Sequence, residues 1–162
     1  MNLAVLTGHL HPAPGFDWIG SHYATVAFST AAVVEVLAYY IPWLDHLLDL
    51  IASPAAVIAG TIATASMVMD MSPFLKWTLA VIAGGGAAAL VQGATVALRT
   101  KSSVLTAGLG NPLVASAEWV GAVFTSLLAI LVPILCLVLM GVFCILVIRK
   151  AGRFFFRRPK IT

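Results

Sequence analysis

The chain has 162 residues, of which 61% are hydrophobic and only 9% charged, with a formal net charge of +3 and a mean hydropathy of +1.05. A soluble globular domain carries roughly 25% charged residues, so that class is excluded. The composition points to an all-α integral membrane protein: one polytopic transmembrane helix bundle of about four spans plus a short interfacial helix, with no room for a soluble catalytic domain.

Residues 1–17 lack the basic start and the long apolar core of a signal peptide, so insertion is expected to use the transmembrane helices themselves. Residues 18–41, WIGSHYATVAFSTAAVVEVLAYYI, form the first predicted span, ended by Pro42. A proline and the residue before it both leave helical geometry readily. On a helical wheel, segment 43–52 (WLDHLLDLIA) places its Trp and Leu side chains on one arc and Asp45, His46 and Asp49 on the other. That is the pattern of a short helix lying in the membrane interface. The polar trio reads as a solvated face, since a metal site needs three or four convergent ligands.

The second predicted span is 54–70 and the third 74–98. Span 3 repeats small residues at every fourth position, Gly85, Ala89, Gly93 and Ala97, and span 2 has a matching row, Ala52, Ala56, Gly60 and Thr64. Small residues at that spacing let helix backbones approach closely in lipid, so these two spans are expected to pair. A polar loop, 99–110, leads to Asn111-Pro112, which reads as an N-cap followed by a first helical residue. From 113 to 148 the chain stays apolar, interrupted only by Pro133. The run is expected to be one long helix bent at Pro133, followed by a basic tail at 149–162. Cys136 and Cys144 lie within this run and read as small packing residues, not as a disulfide framework.

Six of the nine basic residues, Arg149, Lys150, Arg153, Arg157, Arg158 and Lys160, crowd the last fourteen positions. Such a juxtamembrane cluster marks the cytoplasmic side and an anchor to anionic lipid headgroups, not nucleic acid. Four crossings then put both termini in the cytoplasm together with Lys76, leaving Arg99 and Lys101 outside: seven basic residues against two.

At EVLAYYIPWLDHLLDLIASPAAVIAG, GGGAAALVQGATVALR and GLGNPLVASAE, the sequence resembles the DUF4126 family of small bacterial membrane proteins, a domain of unknown function. The likeness runs from Gly8-His9-Leu10 to the basic tail. It implies a fold and a bacterial cytoplasmic membrane, but no activity. Members of that family usually begin with a further hydrophobic segment before Gly-His-Leu, whereas here the apolar stretch ahead of Gly8 is only MNLAVL, followed by Thr7. Many also carry an acid-lysine pair where this chain has Tyr39-Tyr40, so a charge-pair mechanism does not carry over.

Glu35 is the anomalous residue, because an ionisable group inside a span costs ~3 kcal/mol on insertion scales and is usually turned inward and paired. Its predicted face holds Ser21, Thr25, Phe28, Ala32 and Tyr39. Glu35 either ties two helices together or lines a path for ions or protons. Arg99 and Glu118 are positioned to pair across the Gly-Leu-Gly-Asn-Pro loop as a brace. Alternatively, Asn111 at a helix start, with Arg99 and Lys101 nearby, forms an anion site. No nucleophile elbow, metalloprotease helix, phosphate loop or Cys-x-x-Cys occurs, so neither catalysis, a metal nor a cofactor is expected. Two functions remain. One is a small bundle, expected to be oligomeric, that moves an ion or small solute. The other is a non-catalytic accessory or assembly subunit docking with other membrane subunits through its Gly/Ala surfaces.

Overall fold

The computed structural model describes residues 1–38 and 41–155, with backbone alone at 42–46, 49, 111, 151, 154 and 155. Every element in it is helical, and no strand occurs among the described residues. The chain divides into two compact units, Met1–Glu118 and Trp119–Thr162. Among the described residues, three helical stretches are long and apolar enough to cross a membrane: Pro73–Thr106, Pro112–Leu131 and Pro133–Lys150. Two shorter apolar helices, His22–Ala38 and Leu50–Ala65, accompany them.

The first unit opens with α1 (Asn2–Leu6) and a 3-10 turn (Asp17–Gly20) that precede α2 (His22–Ala38). Ser21 starts α2 by accepting a hydrogen bond from the Ala24 amide at 3.1 Å, the usual work of an N-capping serine. The N-terminal segment then ties three later elements to one end of the unit. Asn2 donates its side-chain amide to the Ile19 carbonyl and accepts from the Thr25 hydroxyl. The Ala13 amide donates to the Ser66 carbonyl at 2.7 Å. Phe16 lies 6.4 Å from Trp77 between ring centres, with the Lys76 ammonium 5.0 Å above the Phe16 ring.

Helix α3 (Pro42–Ala65) absorbs both the predicted interfacial helix 43–52 and most of the predicted second span, 54–70. Pro54 sits inside it and does not break it. In a soluble helix an interior proline costs ~3 kcal/mol, whereas helices within a bilayer tolerate one because neighbouring groups re-satisfy the freed carbonyl. The helix ends at Ala65, five residues short of the predicted end at Asp70, where the buried Ser66 donates its hydroxyl to the Ala63 carbonyl at 2.8 Å.

After Ser72, whose hydroxyl caps the next helix, α4 (Pro73–Leu79), a π-helical turn (Ala80–Gly85) and α5 (Gly86–Thr106) follow without interruption. The predicted loop at 99–110 is therefore reduced to residues 107–110. Nothing between Arg99 and Thr106 breaks a helix, and the hydroxyls of Thr100 and Thr106 fold back onto the Val96 and Ser102 carbonyls at 2.8 and 2.7 Å. Polarity alone is a poor helix terminator. Helix α5 stops where Ala107 and Gly108 turn left-handed, with φ of 52° and 87°.

The second unit corrects the long-helix expectation for 113–148. Helices α6 (Asn111–Leu131) and α7 (Pro133–Phe155) are separated by Val132 alone. Residues eleven apart on a straight helix lie ~16 Å apart, yet the Cys136 thiol reaches the Thr125 carbonyl at 3.7 Å. The chain therefore folds back at Val132. A proline disfavours helical geometry in its predecessor, and here the single residue Val132 suffices for the reversal.

Candidate functional site

The closest helix contact in the first unit is the crossing of α3 over the π-helical turn. A Cβ added to Gly60 would come within 2.7 Å of the Gly84 carbonyl oxygen and 2.8 Å of the Ala88 methyl, and one added to Gly85 within 2.6 Å of the Thr61 hydroxyl. Gly84 lies against the Gly60 carbonyl and the Thr64 side chain. The π turn widens the helix by a residue, which brings both Gly84 and Gly85 against α3. Of the small residues singled out in the sequence, Gly60 and Gly85 are at this contact. Ala89 and Gly93 are exposed, and a Cβ on Gly93 would meet nothing within 4 Å. Gly84, Ala88 and Thr61 were not singled out. The run Gly84-Gly85-Gly86 was the signal, masked by counting every fourth position.

The polar stripe drawn along the first span is not a single lining. Thr25 lies at the start of α2, its hydroxyl 2.9 Å from the Asn2 side chain and 3.1 Å from the Ser21 carbonyl. Phe28 packs 6.5 Å from Trp18 between ring centres. Glu35, ten residues beyond Thr25 and so ~15 Å along the axis, is exposed and not turned into the interior of the chain. Tyr39 falls outside the described residues, as do the side chains of Asp45, His46 and Asp49.

Arg99 and Glu118 form an ion pair, Nη2 to Oε2. Arg99 is one of only two buried polar or charged residues found among the described residues, with Ser66. The second carboxylate oxygen, Glu118 Oε1, is buried with no hydrogen-bond partner among the described residues. The adjoining loop closes with the Gly110 amide donating to the Thr106 hydroxyl at 2.8 Å. Gly110, not Asn111, supplies the first carbonyl of α6, accepting from the Leu113 and Val114 amides at 3.1 and 3.2 Å. The side chain of Asn111 lies outside the described residues. Arg99, one of the two cations assigned to an anion site at this helix start, is engaged by the Glu118 carboxylate, and Lys101 is exposed.

Arg149, Lys150 and Arg153 fall in the last turns of α7, and all three are exposed. Arg157, Arg158 and Lys160 lie outside the described residues. The described residues thus combine apolar helices, the Arg99–Glu118 ion pair and exposed cations in the last turns of α7. No curated protein and no solved structure matches the chain. The family model for the domain of unknown function DUF4126 matches residues 1–153, so this membrane-type helical chain belongs to the DUF4126 family.

Proposed function

We propose that this chain is a non-catalytic, helix-docking subunit of a membrane assembly in a bacterial cytoplasmic membrane, built first of all from copies of itself. The observation that carries the reading is Glu35, an acid left exposed on the apolar helix α2. An ionisable group facing lipid costs ~3 kcal/mol, a penalty that shrinks when another subunit covers this face of α2 and removes it from lipid. Ala89, Gly93 and Ala97 add support, because this small-residue row on α5 is exposed although such rows suit close helix approach. Little of the apolar stretch of Pro73–Thr106, Pro112–Leu131 and Pro133–Lys150 is covered by the chain itself: 11%, 6% and 6%.

The test is the mass of the purified protein in detergent and in nanodiscs, combined with cross-linking in native membranes. Multimers in the wild type, weakened by Glu35→Gln and by Gly93→Leu while helicity is unchanged, are expected. A wild type that stays monomeric in bilayers at high density sinks the reading.

A second reading, transport of an ion or small solute, is favoured by the buried and unsatisfied Glu118 Oε1. A carboxylate oxygen held beside a guanidinium is a ready acceptor for a proton or a hydrogen-bonding solute at membrane depth. Proteoliposomes loaded with a panel of ions test it. Flux abolished by Glu118→Gln, with the fold retained, favours this reading over the first.

A further inference from the structure

We infer that the two ends of this chain face opposite sides of the membrane, with the N-terminal segment outside and the C-terminal basic segment in the cytoplasm. This goes beyond the assembly reading and stands whether or not that reading does. It replaces the expectation of two cytoplasmic termini.

The argument is one of parity, and it needs only chain order and one crossing per span. The N-terminal segment, the start of α2, the end of α3 and the start of α4 share one end of the first unit. They are joined there by Asn2 to Thr25, by Ala13 to Ser66 and by Phe16 to Trp77. Helices α2 and α3 therefore leave that end and come back to it. Whether both cross the bilayer or neither does, their contribution is even. Three spans follow: Pro73–Thr106, Pro112–Leu131 and Pro133–Lys150. Had α6 and α7 been one long helix, they would count once and the sum would be even. The reversal at Val132, fixed by the Cys136 to Thr125 contact, makes them count twice. The total is odd.

Charge then selects the direction. Lysine and arginine accumulate in short cytoplasmic segments. With odd parity, Lys76 alone falls at the N-terminal end. Arg99, Lys101, Arg149, Lys150, Arg153, Arg157, Arg158 and Lys160 all fall at the other end, eight basic residues against one. The even arrangement divides the same nine as seven against two. The sharper asymmetry and the parity agree. One consequence is that the Arg99–Glu118 pair and the 107–110 turn lie toward the cytoplasmic leaflet, on the same side as the basic segment, where anionic headgroups attract cations.

The experiment uses the full-length protein in intact bacterial cells. Single cysteines are introduced as His11→Cys, Met71→Cys and Leu109→Cys, all at exposed positions, after Cys136→Ala and Cys144→Ala. Each is treated with a membrane-impermeant maleimide before and after permeabilisation. Independently, and with the native cysteines kept, alkaline phosphatase or green fluorescent protein is fused after Thr162. The expected result is labelling of positions 11 and 71 in intact cells, of position 109 only after permeabilisation, and fluorescence without phosphatase activity at the C-terminus. Positions 11 and 109 labelling alike, or position 11 and the C-terminus on one side, overturns the parity. Opposite sides with the N-terminus inside overturns the charge assignment. Should the cysteine replacements fail to fold, the same two reporters fused after Thr162 and, in a second pair, after Leu109 keep the test decisive. Both positions are expected on the cytoplasmic side, and opposite sides overturn the parity.

Discussion

Glu118 on α6 accepts a charge-assisted hydrogen bond from Arg99 on α5, and the two side chains are only 24% and 7% exposed. Removing one partner of such a pair leaves an uncompensated buried charge, a loss of ~3–5 kcal/mol. Arg99→Ala and Glu118→Ala are each expected to destabilise by about that amount. The double replacement Arg99→Met with Glu118→Leu is expected to recover most of it, because apolar residues of similar volume often replace a buried ion pair at no net cost. Denaturant unfolding in detergent micelles, run as a double-mutant cycle, measures both. Full additivity of the two single losses would show that the pair is not coupled.

The α3 crossing gives a second expectation, built on steric contrast. Gly84→Ala drives a methyl group into the Gly60 carbonyl and the Thr64 side chain, and Gly60→Ala meets the Gly84 carbonyl oxygen at 2.7 Å. Backbone atoms do not rotate away, so each change separates the helices, at about 1–3 kcal/mol. Gly93→Ala meets nothing within 4 Å. It is expected to leave stability unchanged or raise it by ~0.5–1 kcal/mol through helix propensity. Thermal unfolding of the three variants side by side decides the matter, and equal losses at positions 84 and 93 would contradict this contact map.

The contrast between Gly84 and Gly93 also marks where sequence reasoning stops. Hydropathy was enough to read an all-helical membrane chain, since a run such as 113–148 has no other use. The pairing of Gly60 with span 3 was legible too, because close backbone approach leaves glycine as the fitting residue. The register was not, since a π turn at Ala80–Gly85 shifts the face by one residue and no local residue announces it. Pro54 and Pro133 look alike in the sequence yet act oppositely, one inside a continuous helix and the other at a reversal. The Arg99–Glu118 spacing was readable because the connecting turn is short. The exposure of Glu35 was not, because which side of α2 stays uncovered depends on how the neighbouring helices pack.

Ala107 occupies the left-handed region at φ 52° and ψ 33°, directly after α5. That conformation costs a residue with a Cβ roughly 1–2 kcal/mol, and a helix C-terminus commonly places glycine there. Ala107→Gly removes the strain and gives back ~0.4–1 kcal/mol through the added freedom of the unfolded chain. A net gain of about 0.5–1 kcal/mol is expected from these two opposed effects. A rise in thermal midpoint, absent in the control Ala122→Gly within α6, is the readout. A fall at position 107 would mean that the turn is set by something other than backbone preference.

The fold-back at Val132 is the feature on which the sidedness of the C-terminus depends, and it is directly measurable. Spin labels at Val120 and Leu146, both exposed, lie 26 residues apart, which is ~39 Å on a straight helix. Folded back, they are expected to give a clearly shorter distance by pulsed electron resonance, in detergent and in bilayers alike. Pro133→Ala restores an amide donor for the Ala129 carbonyl and frees Val132 to become helical. In that variant the distance is expected to lengthen toward the straight-helix value, or to split into two populations. A wild-type distance near 39 Å would restore the single long helix, make the number of crossings even, and return both termini to one side of the membrane. The reversal needs no glycine and no polar turn. A proline that cannot donate its amide and disfavours helical geometry in its predecessor favours a break there. A single 113–148 helix of ~54 Å would also overshoot a hydrocarbon layer of ~30 Å.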